Sequence, residues 1–326
     1  MTLRTNIRLA LLPDAQRKVF ETMPMTDRDA ILDNLITVRD WLRFGVSQFS
    51  EAELVYGHGT ANAMDEAAFL LLTTLNLPVD VLDPWLDCRL TPSERSRILA
   101  LFDTRITSRK PASYLTNSAW IQGRRFYVDE RVIVPRSFIG ELICDNSLNA
   151  AAADPEAVER ILELCTGSGC LAILAAEAFP FATIDASDLS ADALDVAQRN
   201  VADYGLQQRI SLIRSDLFES IAPAAYDLII ANPPYVTADA VARFPPEYRA
   251  EPVMAHAGGA DGLDLVKRIL DAAPRYLSEN GALVVEIGEA RYALEEARPD
   301  LPFLWLDTET SEGEVFVLHA QDSFAS

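Results

Sequence analysis

Past Ile133-Val134-Pro135-Arg136 the chain alternates between short apolar runs and helical stretches, and this constrains its fold more than any other feature. The runs with strand character are Ile161–Leu164, Ala182–Ala186, Ile210–Ile213, Asp227–Ala231, Ala282–Ile287, Phe303–Leu306 and Val315–Leu318. Helical patterns occupy Gly169–Phe179, Ala191–Tyr204 and Leu263–Leu277 between them. Strands separated by helix-length segments pair in parallel through crossover helices. The expected fold class is therefore α/β, with a doubly wound, mostly parallel seven-stranded sheet. The last two runs are separated by Asp, Glu, Ser, Thr and Gly residues alone, so they are expected to form an antiparallel terminal pair at the sheet edge.

The N-terminal third has a different texture. Residues 1–25 carry Pro13 and Pro24 with little periodicity and are expected to be a tail. One helix is expected from the Thr26-Asp27 cap through Ile31, Leu35, Val38 and Leu42. A second spans Ala61–Leu75, and a third starts at Thr91-Pro92-Ser93-Glu94 and runs through Ile106. Residues 26–110 thus predict a small all-helical domain. Aromatic and β-branched residues flank Gly123, which predicts a β-hairpin within a linker at 111–134. Arg124 and Arg125 there are read as a solvated turn, and residues 135–326 as the catalytic domain.

Charge and cysteine usage exclude several classes. The 28 Lys+Arg against 49 Asp+Glu leave a net charge of −21, which repels phosphate backbones and suits a basic protein partner. No naked nucleic acid is expected as substrate. No apolar run approaches the roughly 20 residues of a membrane span. Four scattered cysteines and three distant histidines offer no metal site, and the expected location is cytoplasmic.

Four motifs stand at strand ends. The turn Cys165-Thr166-Gly167-Ser168-Gly169 follows the first strand of the sheet, where small residues let a ligand approach the backbone; a tight turn without a ligand is the bland alternative. Asp188 lies about 20 residues later at the next strand end, where a carboxylate can accept both hydroxyls of a ribose. Asp185 is its mid-strand rival. Asp216 can accept from an adenine amine while Leu217 or Phe218 lines the base, or the segment is a plain helix cap. The decisive motif is Asn232-Pro233-Pro234-Tyr235. Its two prolines remove two N–H donors, leaving the Asn232 side-chain carbonyl and the Pro233 carbonyl as acceptors for a planar –NH2. The Tyr235 face can hold that group flat. His256, beside Gly258-Gly259, is expected to be an exposed loop residue.

In this order the motifs resemble class I S-adenosylmethionine-dependent methyltransferases acting on planar amides or exocyclic amines. With the helical domain, the hairpin and Pro135-Arg136, the chain resembles the protein-glutamine N(5)-methyltransferases from about residue 35 onward. Of that family's two branches, Cys165-Thr166-Gly167-Ser168-Gly169-Cys170, Pro135–Glu141 and Tyr56–Glu66 lean toward the one acting on the third large-subunit ribosomal protein rather than on peptide release factors; Met64 stands where a tryptophan is expected. The resemblance implies S-adenosylmethionine as cofactor, held by Cys165–Gly169, Asp188, Asp216 and Leu217. It implies a glutamine held by Asn232, Pro233, Pro234 and Tyr235, on a basic ribosomal protein; it leaves the oligomeric state unknown. The alternatives are release-factor glutamine methylation, N(6)-adenine methylation, which the charge disfavours, and a non-catalytic nucleotide-binding module.

Overall fold

The computed structural model describes residues 25–145, 147–152 and 154–323. It divides into two compact units. The first comprises the chain through Thr116 together with 245–250, and the second comprises Asn117–Phe244 and the chain from Glu251 onward.

Among the described residues, the α-helices of the first unit are α1 (Met25–Asn34), α2 (Val38–Glu51), α3 (Ala63–Leu75), α4 (Pro92–Ser108) and α5 (Ala112–Thr116). Of the expected tail only Met25 is described, as the first residue of α1; residues 1–24 lie outside the described residues. The single helix expected from Thr26 to Leu42 is two. Asp40 Oδ2 accepts from the backbone N–H groups of Ile36 and Thr37 at 3.0 and 2.9 Å, while the Thr37 hydroxyl accepts from Asp40 N. This capping box starts a new helix at Val38 and overrides the apolar spacing that runs across it. A second box, Thr91 with Glu94, opens α4. Trp41, Phe49, Leu70, Leu71, Ile98 and Phe102 form the core. Gly45 permits the closeness of α2 and α4, since a Cβ there would stand 2.6 Å from a Phe102 ring carbon.

A buried charge cluster ties residues 245–250 into this unit. Glu247 accepts from Val55 N at 3.1 Å and pairs with Arg109 Nε at 2.8 Å, beside the Arg105–Glu66 pair at 2.6 Å. The expected catalytic stretch 135–326 is therefore interrupted here, because Glu247 finds its cations on α4 and just beyond it. Nothing in the local sequence around Glu247 signals this.

The second unit begins with the hairpin β1 (Ala119–Ile121) and β2 (Arg124–Phe126), followed by the helix α6 (Phe138–Cys144). Rather than standing apart as a linker, the hairpin sends Ile121 and Phe126 into the sheet's own core. Arg124 pairs with Glu177 at the surface. Then come β3 (Arg160–Leu164), α7 (Cys170–Ala178), β4 (Thr183–Asp188), α8 (Ala191–Asp203), β5 (Ile210–Arg214), β6 (Tyr226–Ala231), the short α9 (Ala238–Ala242), α10 (Asp264–Ala272), β7 (Leu277–Glu286), α11 (Arg291–Ala297), β8 (Leu304–Asp307), β9 (Glu312–His319) and α12 (Ala320–Ser323). The sheet order is β5-β4-β3-β6-β7-β9-β8. Pairings are parallel from β5 to β7; β9 runs antiparallel to both β7 and β8. The α/β sheet with its antiparallel terminal pair is thus as the sequence pattern implies.

Both faces of the sheet are covered, as parallel strands require. Ile161, Ile184, Leu228, Ile230 and Val284 pack on the α7 side. Leu162, Leu164, Ile229, Leu283 and Val285 pack with Val266, Ile269 and Leu270 of α10. The chain winds outward from β3 through β4 to β5 and then returns to β6 on the other side of β3. The topological switch point, where ligands of open α/β sheets bind, therefore lies at the carboxyl ends of β3 and β6.

Candidate active site

Strand register gathers the motif residues into one row. Leu164 pairs with both Ser187 and Ala231, and Ala231 pairs with Val285. The next residue along each of these four strands is Cys165, Asp188, Asn232 or Glu286, so all four stand side by side at the strand ends. Asp188 in turn pairs with Arg214, which brings the Ser215–Phe218 segment into the same row.

The glycine turn is a tight left-handed structure. Cys165, Gly167 and Gly169 have φ of 59°, 55° and 79°. The Cys165 conformation is uncommon for a side-chain-bearing residue. At Gly167 nothing lies within 4 Å of where a Cβ would stand, so the backbone faces open space. Gly167 N donates to Asp188 Oδ2 at 2.9 Å, and Ser190 N donates to Oδ1 at 2.8 Å. Each carboxylate oxygen retains a further lone pair. Burial raises the Asp188 pKa against the lowering effect of these bonds. The Ser168 carbonyl accepts from Asn200 of α8 at 2.8 Å, and Asn200 also exchanges two bonds with the Tyr127 backbone.

Beneath the turn is a group that sequence reasoning left without a role. Glu163 is fully buried, accepts from the Thr166 hydroxyl at 2.6 Å, and is pushed up to about 8 by desolvation. Its signal was the single acidic residue inside the apolar run Ile161–Leu164. The Cys165 thiol is also raised, by burial and then by Asp188 and Glu163, so it is no thiolate nucleophile. Leu217 and Phe218 are buried, Leu217 with φ of 49°. Asp216 pairs with Arg268 of α10 at 2.9 Å, a partner its local sequence did not suggest.

The Asn232–Tyr235 loop is held from both sides. Asn232 Nδ2 donates to the Arg136 carbonyl at 3.4 Å, which leaves Oδ1 as the accepting end of the amide. Pro233 is buried, and Pro234 is half-buried. The Tyr235 hydroxyl donates to Glu286 Oε1 at 3.1 Å. Glu286 Oε2 takes the Ser137 hydroxyl at 2.6 Å and the Phe138 backbone N–H at 2.9 Å. Burial raises the Glu286 pKa. It also raises that of Tyr235, with the Glu286 charge adding to it, so the phenol stays protonated. Val236 and the 256–258 segment exchange backbone bonds of 2.9 Å, Val236 N to His256 O and Gly258 N to Val236 O, in an isolated parallel bridge. Gly258 is required there, since a Cβ would stand 2.7 Å from Pro234 O and Tyr235 Cα.

His256 corrects an expectation. It is buried at 4% exposure, with Nε2 3.0 Å from Glu251 Oε2 and its ring edge-on to Phe244. The neighbouring glycines form a packed bridge rather than an exposed loop, which is why the histidine turns inward. Glu251, also buried, takes Val134 N at 2.8 Å and the Arg136 guanidinium at 2.9 and 2.8 Å. No role was read from sequence for Glu251 or Glu286; Val134 and Arg136, which meet Glu251, and Ser137 and Phe138, which meet Glu286, each lie more than 100 residues away along the chain.

Among the described residues no group of three or more His, Cys, Asp or Glu is placed to hold a metal ion. No helix among them is long and apolar enough to cross a membrane.

Residues 147–244, which carry the glycine turn, Asp188 and the Asn232 motif, match the family model described as the methyltransferase small domain. Two curated relatives, from Bordetella pertussis and Burkholderia pseudomallei, bear the name ribosomal protein uL3 glutamine methyltransferase. The first is 57% identical over 284 residues, covering 87% of this chain and 95% of the relative. The second is 57% identical over 293 residues, covering 88% and 95%. The chain belongs to the ribosomal protein uL3 glutamine methyltransferase family. Among solved structures it is also similar to the hMettl16 catalytic domain, at 14% identity and a TM-score of 0.48, covering 72% of this chain and 82% of that one.

Proposed function

We propose that this chain transfers a methyl group from S-adenosylmethionine to the side-chain amide nitrogen of a glutamine in ribosomal protein uL3. The observation that carries the reading is the orientation of Asn232. Its –NH2 end is committed to the Arg136 carbonyl, so the corner offers the substrate Oδ1 and, beside it, carbonyls of residues that have no N–H. A primary amide nitrogen brings two hydrogens and matches that set; a carboxylate or a carbonyl does not.

The turn residues fit the cofactor. Open space at Gly167 and a carboxylate at Asp188 with remaining acceptor capacity suit an amino-acid and ribose moiety, and Asp216, Leu217 and the buried Phe218 would border the base. When bound, the cofactor supplies an electrophilic methyl group on a sulfonium. Asn232 Oδ1 and the Pro233 carbonyl accept the amide hydrogens and fix the nitrogen's direction, the positioning contribution that such sites rely on. Tyr235, tethered to Glu286, packs over the amide plane. The methylated nitrogen sheds its extra proton to water, so no general base is required of this chain. The net charge of −21 favours a basic ribosomal protein over a phosphate backbone and raises its encounter rate.

The test is incubation with methyl-labelled cofactor and two acceptors, uL3 and a peptide release factor, followed by mass mapping. Label on one glutamine of uL3, little on the release factor, and collapse of transfer in Asn232→Ala with cofactor affinity kept are the expected results. Label on another residue type, or unchanged turnover in Asn232→Ala, overturns the reading.

A further inference from the structure

An asparagine amide looks nearly the same end for end, so a site that depends on Asn232 Oδ1 must hold it against flipping. The Arg136 carbonyl does this: Nδ2 toward it makes a hydrogen bond, whereas Oδ1 toward it sets two oxygens against each other. At 3.4 Å the bond is longer than the usual N–H···O distance, so a small retreat of that carbonyl abolishes the preference.

The Val134–Arg136 stretch that presents the carbonyl is clasped by one buried carboxylate. Glu251, with a side chain 0% exposed, binds Arg136 in bidentate fashion and takes Val134 N two residues earlier. Arg136 also folds back on the Val134 carbonyl at 3.2 Å, and Pro135 between them has a restricted φ. On its other side Glu251 Oε2 lies 3.0 Å from His256, whose backbone carbonyl receives Val236 N directly behind Tyr235. A single carboxylate thus connects the segment that orients Asn232 with the segment that supports the rest of the motif.

We infer that Glu251 is a positioning residue for methyl transfer, acting through Arg136 to keep the Asn232 amide oxygen turned toward the substrate and so to select a glutamine amide over a carboxylate. This rests on the role assigned to Asn232 above. Glu251→Gln replaces one acceptor oxygen with an –NH2 and breaks the bidentate pair, whose geometry a lysine cannot reproduce either.

The experiment compares binding of uL3 with that of uL3 carrying glutamate at the methylated glutamine, both in the presence of S-adenosylhomocysteine. In Glu251→Gln the preference for glutamine over glutamate is expected to fall about tenfold and kcat about tenfold, with cofactor affinity within about twofold. Arg136→Lys is the second variant, with the same expectation, should Glu251→Gln fail to fold. Equal weakening toward both acceptors, leaving the preference unchanged, marks a merely structural role and overturns the inference. Undiminished kcat in Asn232→Ala would instead overturn the underlying reading of the motif, an outcome read separately.

Discussion

Glu163 offers the most quantitative test of the site's electrostatics. Its carboxyl is fully buried under the glycine turn and lifted from an ordinary value of 4.5 to about 8 by desolvation. In the native protein at neutral pH it is therefore mainly the neutral acid, while in the unfolded chain it is ionised. The folded pKa lies above the unfolded one, so the unfolded state loses its proton first. Stability is consequently lost as pH rises from about 4.5 to about 8, and is constant beyond either end. At about 1.4 kcal/mol per pH unit the interval amounts to something of the order of 5 kcal/mol. Glu163→Gln keeps an acceptor for the Thr166 hydroxyl and cannot ionise. Urea unfolding of both proteins at several pH values between 4 and 9 is the assay. The variant should gain steadily on the native chain across that interval, with the two differing by a constant amount at the acid end. Parallel stability profiles for the two proteins would refute the assignment of a neutral, desolvated Glu163.

Three further substitutions address the row at the strand ends. Asp188→Ala should weaken S-adenosylhomocysteine binding by roughly 10- to 100-fold, measured by calorimetry, since it removes a charged acceptor and orphans Gly167 N and Ser190 N. Tyr235→Phe deletes the donor to Glu286 and should lower kcat by about fivefold to tenfold with cofactor affinity unchanged, as one bond of about 1 kcal/mol implies. Gly258→Ala drives a methyl into the Pro234 carbonyl and Tyr235 backbone and should cost about a hundredfold in kcat by displacing the motif, while circular dichroism shows the sheet retained.

The strands were legible because parallel strands buried on both faces read as apolar runs, and each of the seven is found with shifts mainly at its ends. The glycine turn, Asp188 and the Asn232 motif were legible for a related reason. They follow strand ends directly, and register alone then brings them together. Less accessible were one helix break and the features set by partners elsewhere in the fold. The break at Leu35–Thr37 sits inside an unbroken apolar spacing, and only the Thr37–Asp40 box reveals it. Glu247, Glu251 and Glu286 look like surface acids among the 49 acidic residues; each is buried because cations or N–H donors arrive from elsewhere in the fold. His256 was misplaced because the chain folds back locally, so that Glu251 and Phe244 supply its surroundings. Glu251 and Glu286 brace segments beside the motif row, Glu247 braces the helical unit, and no local pattern distinguishes them.

The most direct measurement is a structure of the protein with S-adenosylhomocysteine and a uL3 segment bearing the target glutamine. The expected result places that side-chain nitrogen about 3 Å from both Asn232 Oδ1 and the Pro233 carbonyl, with Asn232 Nδ2 still on the Arg136 carbonyl. A glutamine bound elsewhere, or one meeting the corner through its amide oxygen, would contradict the receptor role of Asn232 and Pro233.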